Sequence, residues 1–137
     1  MAIRNVLYTV SDDSTITPTT TQYGGVQGEH NATQVAFYIP PYGPLANPNY
    51  RYYIECVDSA GGYDRTPELR RLVNRVYTLV PLAWTQYGGI STVRLIVEAD
   101  GEIICSLEGR LQFEDRGEAI AQVDGLLRTD ITQAVET

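Results

Sequence analysis

From Val6 to about residue 114 the apolar residues of this chain fall at every second position: Val6, Tyr8 and Val10; Val35, Phe37 and Ile39; Tyr50, Tyr52, Ile54 and Cys56; Val93, Leu95 and Val97. Side chains along a strand alternate between its two faces, so a period of two marks strands with one face buried and the other wet. Between the runs lie turn formers, among them Ser11-Asp12-Asp13-Ser14, Gly24-Gly25, Pro40-Pro41-Tyr42-Gly43-Pro44, Asn47-Pro48-Asn49 and Ser59-Ala60-Gly61-Gly62. Strands broken this often predict a mainly β fold, an antiparallel β-sandwich of about seven to eight strands over residues 1–116. A chain of 137 residues has room for one such core.

Three local readings refine the sandwich. Ala99-Asp100-Gly101 separates two strands, and a three-residue loop is preferred over a two-residue Asp-Gly turn. It pairs Val97 with Ile103, Leu95 with Cys105 and Val93 with Leu107, which keeps one face apolar. Pro81-Leu82-Ala83-Trp84 reads as a short turn that lets the single tryptophan plug one end of the core. Leu69-Arg70-Arg71-Leu72-Val73 fits a helical turn or a strand equally well.

At Asp115 the period changes. Asp115-Arg116-Gly117-Glu118 fits a capping box, and Ile120, Val123, Leu127, Ile131 and Ala134 follow at three- and four-residue spacing. This predicts a C-terminal amphipathic α-helix over residues 117–137, acting in oligomerisation or as a linker. Gly125 in its interior and Glu136 at its negative end weaken it, so packing has to supply its stability. Either it folds across its own sandwich or copies meet at that seam as a coiled coil, and the second reading is preferred.

The pentapeptide Thr-Gln-Tyr-Gly-Gly occurs twice, at residues 21–25 and 85–89. The segments that follow do not align at the same offset, which argues against a duplication. Both copies read as turns leading into a strand, the glycines free to adopt positive φ.

Catalytic chemistry finds no foothold. His30 is the single histidine, with no nucleophile constellation around it. Cys56 and Cys105 lie too far apart for zinc-type spacing and read as buried, reduced thiols. Asn31-Ala32-Thr33 matches a glycosylation acceptor without mechanistic meaning outside a secreted protein. Carboxylates such as Asp12, Asp13, Asp58, Asp64, Glu98, Glu102, Glu114 and Asp115 read as a solvated acidic surface. No enzyme, metal or cofactor is expected. A net charge of −7 without a linear cluster of basic residues sets nucleic acid aside, and no apolar run is long enough for membrane insertion. No signal peptide is visible, since Met1-Ala2-Ile3-Arg4-Asn5 runs straight into a strand-like segment.

What stands out is tyrosine, ten against two phenylalanines. Its apolar body and hydrogen-bonding tip suit half-wet contact surfaces. Tyr50, Tyr52 and Tyr77 fall on strand alternations. Tyr23, Tyr42, Tyr63 and Tyr87 fall in loops beside Gly or Pro and are the candidate partner contacts.

The succession "QYGGVQGEHNATQVAFYIP", "YRYYIECVDSAGGYDRT", "YTLVPLAWTQYGGISTVRLIVEADGEII" and "GRLQFEDR", followed by a helical pattern, resembles the N-terminal domain of phage tail and baseplate proteins of Gram-positive hosts. Among these it is most similar to the upper baseplate proteins that carry receptor-binding proteins. The resemblance implies an Ig-like sandwich that docks a tail component into the virion and a helix that bundles with its copies, often as a trimer. It implies partners among other tail or baseplate proteins, a place in the virion after synthesis in the host cytoplasm, and no catalytic residues. Because the sequence ends at Thr137, a distal module is expected on another polypeptide, or the chain is a short structural piece or prophage remnant. The alternative is a carbohydrate-binding or host-surface-binding β-sandwich module, in which loop tyrosines stack on sugars.

Overall fold

The computed structural model describes residues 3–11, 13 and 15–116. In chain order its strands are β1 (Arg4–Val10), β2 (Ile16–Thr17), β3 (Gln22–Val26), β4 (Thr33–Tyr38), β5 (Arg51–Val57), β6 (Tyr63–Arg65), β7 (Arg75–Leu79), β8 (Gly89–Ala99) and β9 (Glu102–Glu114). They form a four-stranded sheet in the order β2-β1-β4-β7 and a five-stranded sheet in the order β3-β9-β8-β5-β6. The two sheets close on one apolar core. Val6, Tyr8, Val10, Val35, Phe37 and Val76 come from the first, and Tyr52, Ile54, Cys56, Val93, Leu95, Val97, Leu111 and Phe113 from the second. The inward residues are those the alternation marks, because a two-residue period leaves one face of each strand to exclude water.

Tyr8 shows how closely the sheets approach. Its ring stacks on Phe37 with centroids 5.3 Å apart, and its hydroxyl donates to the Arg110 carbonyl of the opposite sheet at 2.8 Å. A Cβ on Gly109 would lie 2.5 Å from the Tyr8 ring, so only glycine lets β9 pass over it. Burial pushes the Tyr8 hydroxyl up to about 12.

The expected antiparallel arrangement of the sandwich is corrected. Both sheets are mixed: β1 runs parallel to β4, from Arg4 beside Thr33 to Thr9 beside Tyr38, and β3 runs parallel to β9. Alternation reports which face a residue occupies and carries no information on strand direction. The connection from β1 to β4 is long enough to return the chain in the same sense, sending β3 to the other sheet on the way. Among the described residues the only helix is the 3₁₀ turn Leu82–Trp84. The expected amphipathic helix and its seam of Ile120, Val123, Leu127, Ile131 and Ala134 fall in residues 117–137, outside the described residues.

The β8–β9 register is corrected too. Asp100 (φ 54°) and Gly101 (φ 82°) both take positive φ, the signature of a two-residue type I′ turn. A bulge at Val97/Glu98 then sets Val97 opposite Cys105 and Leu95 opposite Leu107. The apolar face is preserved as required, by a bulge and not by a longer loop. The ambiguous segment also resolves. Leu69 bridges to Tyr52, and Leu72 bridges to Arg75 through a tight turn of Val73 (φ 51°) and Asn74 (φ 62°).

The outer face of the five-stranded sheet carries a charge ladder in register. Arg94 contacts Glu108 at 2.8 Å and Glu55 at 3.2 Å, and Arg65 reaches Glu98 at 3.8 Å. On the other sheet the outer row is Leu7, Ala36 and Tyr77, side by side on neighbouring strands, with Tyr77 exposed.

Candidate functional site

The two Thr-Gln-Tyr-Gly-Gly copies do different local jobs and meet at one end of the sandwich. The first lies within β3, where a register shift between Tyr23 and Gly25 bends the strand; the second follows the 3₁₀ turn and leads into β8. Only the second therefore matches the expected turn. Both flank the end of β9, since Gly25 and Gly89 are each opposite Phe113, one on either side. Glycine is required at both, with φ of 125° and 110°.

Side chains stitch this end shut. Gln27 donates from Nε2 to the Gln86 carbonyl at 2.8 Å and accepts the Arg116 amide at 3.1 Å, while its own amide donates to the Glu114 carbonyl. Thr85 donates to the Glu29 carbonyl at 2.7 Å. Arg4 donates to Thr33 Oγ1 (2.7 Å) and Glu29 Oε1 (3.0 Å), and Thr33 donates on to the Gly24 carbonyl. The Val26 amide, together with Arg4, holds the Glu29 carboxyl below the ordinary carboxylate range. Trp84 is buried as expected at this end, its indole N–H donating to Asp64 at 2.7 Å. His30 Nδ1 accepts the Leu82 amide at 2.9 Å, a structural role.

Beside the stitch lies an open hollow of about 460 Å³ lined by Tyr23, residues 88–89 and residues 112–115. Tyr23 (48% exposed) and Tyr87 (52%) stand at this end with their rings in solvent. Tyr23 is already engaged: its hydroxyl donates to Glu114 at 3.1 Å, and the Arg4 guanidinium lies 5.1 Å from its ring centroid.

The other two tyrosines named from sequence lie elsewhere. Tyr63 sits on the edge strand β6 and donates to Glu55 at 2.6 Å, joining the charge ladder. Tyr42, 99% exposed, rides on the β4–β5 loop at the far end of the sandwich. The structure thus brings Tyr23 and Tyr87 to one end and leaves Tyr42 and Tyr63 apart. Of the two cysteines, Cys56 is buried and its thiol is pushed by burial up to about 12, whereas Cys105 is only half-buried.

One cluster escaped the sequence reading. At the corner where β5 and β7 begin, folding gathers Arg51, Arg70, Arg71 and Arg75 with the exposed Tyr42, Leu72 and Val73. The Ile39 amide bonds the Asn74 carbonyl, and Arg71 reaches the Ala46 carbonyl, which hold the two loops together. Only Arg70 and Arg71 are adjacent in sequence. The available signal was the near-absence of carboxylates from residues 40–51 and 66–75, where Glu68 stands alone.

No protein-family model matches the chain, and no curated protein matches its sequence. A solved structure does. The N-terminal domain of phage TP901-1 ORF48 superposes with a TM-score of 0.52 at 9% identity, covering 82% of this chain and 99% of that one. The chain shares the fold of a phage protein domain. No described helix is long and apolar enough to cross a membrane.

Proposed function

We propose that this chain is a structural component of a phage tail or baseplate, an assembly or docking module that acts through its surfaces and not by catalysis. The observation that carries the reading is the fold shared with the N-terminal domain of a phage protein over most of both chains. The construction of the molecule supports it: a rigid two-sheet scaffold offers distinct contact features at its two ends, with exposed tyrosines at both. Tyrosine and arginine are the side chains on which protein interfaces most depend. Its place would be in the virion, beside other tail or baseplate proteins.

The competing sugar-binding reading rests on Tyr23 and Tyr87. It is weakened because Tyr23 has one ring face under Arg4 and its hydroxyl committed to Glu114. The test is immunogold labelling of purified phage particles with antibody against this chain. Label at one end of the tail is the expected result. Particles free of the protein, together with a glycan-array signal lost in Tyr87→Ala, would replace assembly with sugar binding.

A further inference from the structure

We propose that the basic corner of one copy docks onto the acidic hollow of a second copy, so that the domains associate head to tail. The idea deepens the assembly reading above and rests on it, but names a partner that reading leaves open.

The first observation is charge separation. The chain carries a net −7, yet the loops of residues 40–51 and 66–75 hold Arg51, Arg70, Arg71 and Arg75 against Glu68 alone. Arg51, Arg70 and Arg75 make no ion pair among the described residues, whereas Arg4, Arg65 and Arg94 are each paired. Glu98, Asp100 and Glu102 share this end of the sandwich on the β8–β9 hairpin. Glu98 lies directly opposite Arg51 in the β5–β8 register while pairing with Arg65, so the basic excess rests on Arg70, Arg71 and Arg75 on the far side of β5. Asp13 lies on the β1–β2 turn, away from β7. At the opposite end the balance inverts: Glu29, Asp58, Glu114 and Asp115 stand against Arg4 and Arg116.

The second observation is apolar exposure at the basic corner. Tyr42 is almost wholly exposed, Val73 is 90% exposed, and Leu72 is half so. Val73 also adopts φ 51°, a left-handed conformation that a β-branched side chain resists and that glycine or asparagine would take with less strain. An apolar residue held in an unfavourable conformation to face water is explained when something covers it.

The third is a socket of matching chemistry. The hollow beside Tyr23 and Tyr87 is large enough for an aromatic side chain, has Phe113 and two glycines in its wall, and is edged by Glu114 and Asp115. A simple polyanion would satisfy the arginines but would leave Tyr42 and Val73 wet and be repelled by the rest of the surface. A protein surface that pairs carboxylates with a recess walled by a tyrosine ring and glycine backbone satisfies both, and this molecule carries one in the hollow beside Tyr23. The two patches lie at opposite ends of the strands, so the contact is heterologous and propagates from copy to copy. Each is small, which places the contact among weak interfaces.

The experiment is sedimentation velocity of the full chain over a hundredfold concentration range at low and high salt. The expected result is a mass that rises with concentration and an association that weakens at least tenfold at high salt. Arg70→Glu/Arg71→Glu/Arg75→Glu and, separately, Glu114→Arg/Asp115→Arg should each abolish self-association while keeping the wild-type circular dichroism. Mixing the two variants should restore it, because their reversed patches complement each other. A monomer at every concentration, or no recovery on mixing, overturns the proposal. So does co-sedimentation of the monomer with anionic phosphatidylserine vesicles that is lost in the triple arginine variant, which would reassign the corner to a membrane. None of these outcomes depends on virion labelling, so the two proposals fail independently.

Discussion

The two ends of this sandwich treat their polar groups in opposite ways. At the end where the Thr-Gln-Tyr-Gly-Gly copies meet, Arg4, Gln27, Glu29, Thr33 and Thr85 cross-link β1, β3, β4 and the approach to β8, and Trp84 seals the core. At the basic corner three arginines lack ion partners among the described residues, and apolar side chains face solvent. A buried polar group left unsatisfied costs stability, whereas an exposed one is free to serve a partner. One end therefore holds the fold, and the other is available for contact.

The strongest way to break this contrast is Trp84→Ala. It should cost about 3–5 kcal/mol in urea denaturation, since it empties the sealed end and strips Asp64 of its indole partner. A loss under about 1 kcal/mol would mean that this end does not anchor the fold. Thiol labelling reads the core near each end. Cys56, with a thiol pushed up to about 12, should react with a disulfide reagent at pH 8 at least about 100-fold more slowly than half-buried Cys105. Equal rates would show the core to be equally open at both. Gln27→Ala removes two side-chain bonds of the stitch and should cost about 1–3 kcal/mol. At the basic corner the sign should reverse: Val73→Asn relieves the left-handed strain and should stabilise by up to about 1 kcal/mol in the same assay. Smallest of all, Tyr42→Ser should leave stability within about 0.5 kcal/mol of wild type while weakening self-association.

Much of the core was legible because burial on one face forces a period of two: Val6, Tyr8, Val35, Phe37, Ile54, Val93 and Leu95 all point inward as their spacing required. Direction and register were not. Nothing in Val6, Tyr8 and Val10 tells β1 to lie parallel to β4, and the bulge beside Val97 is a choice between two ways of meeting one packing demand. The helical spacing after Asp115 was visible, but periodicity alone names a face without naming what it packs on. Among the candidate contacts, tyrosine type and loop position singled out Tyr42 and Tyr87, both exposed. They could not foresee that Tyr23 is tied to Glu114 and Arg4, or that Tyr63 is absorbed by Glu55. The basic corner stayed hidden because Arg51 and Arg75 become neighbours of Arg70 and Arg71 only once the strands pair.

The position of β9 between β3 and β8 also sets the order in which the domain forms. Gln22 finds its sheet neighbour only at Leu111, and Tyr8 finds its hydroxyl acceptor only at Arg110. Contacts this distant along the chain make for slow folding, because the entropy of closing the loop is lost before the pairing compensates for it. Until residues 102–114 exist, β3 and β8 stand as bare edges. A fragment cut short of β9 is thus an aggregation-prone template, not a smaller version of the domain.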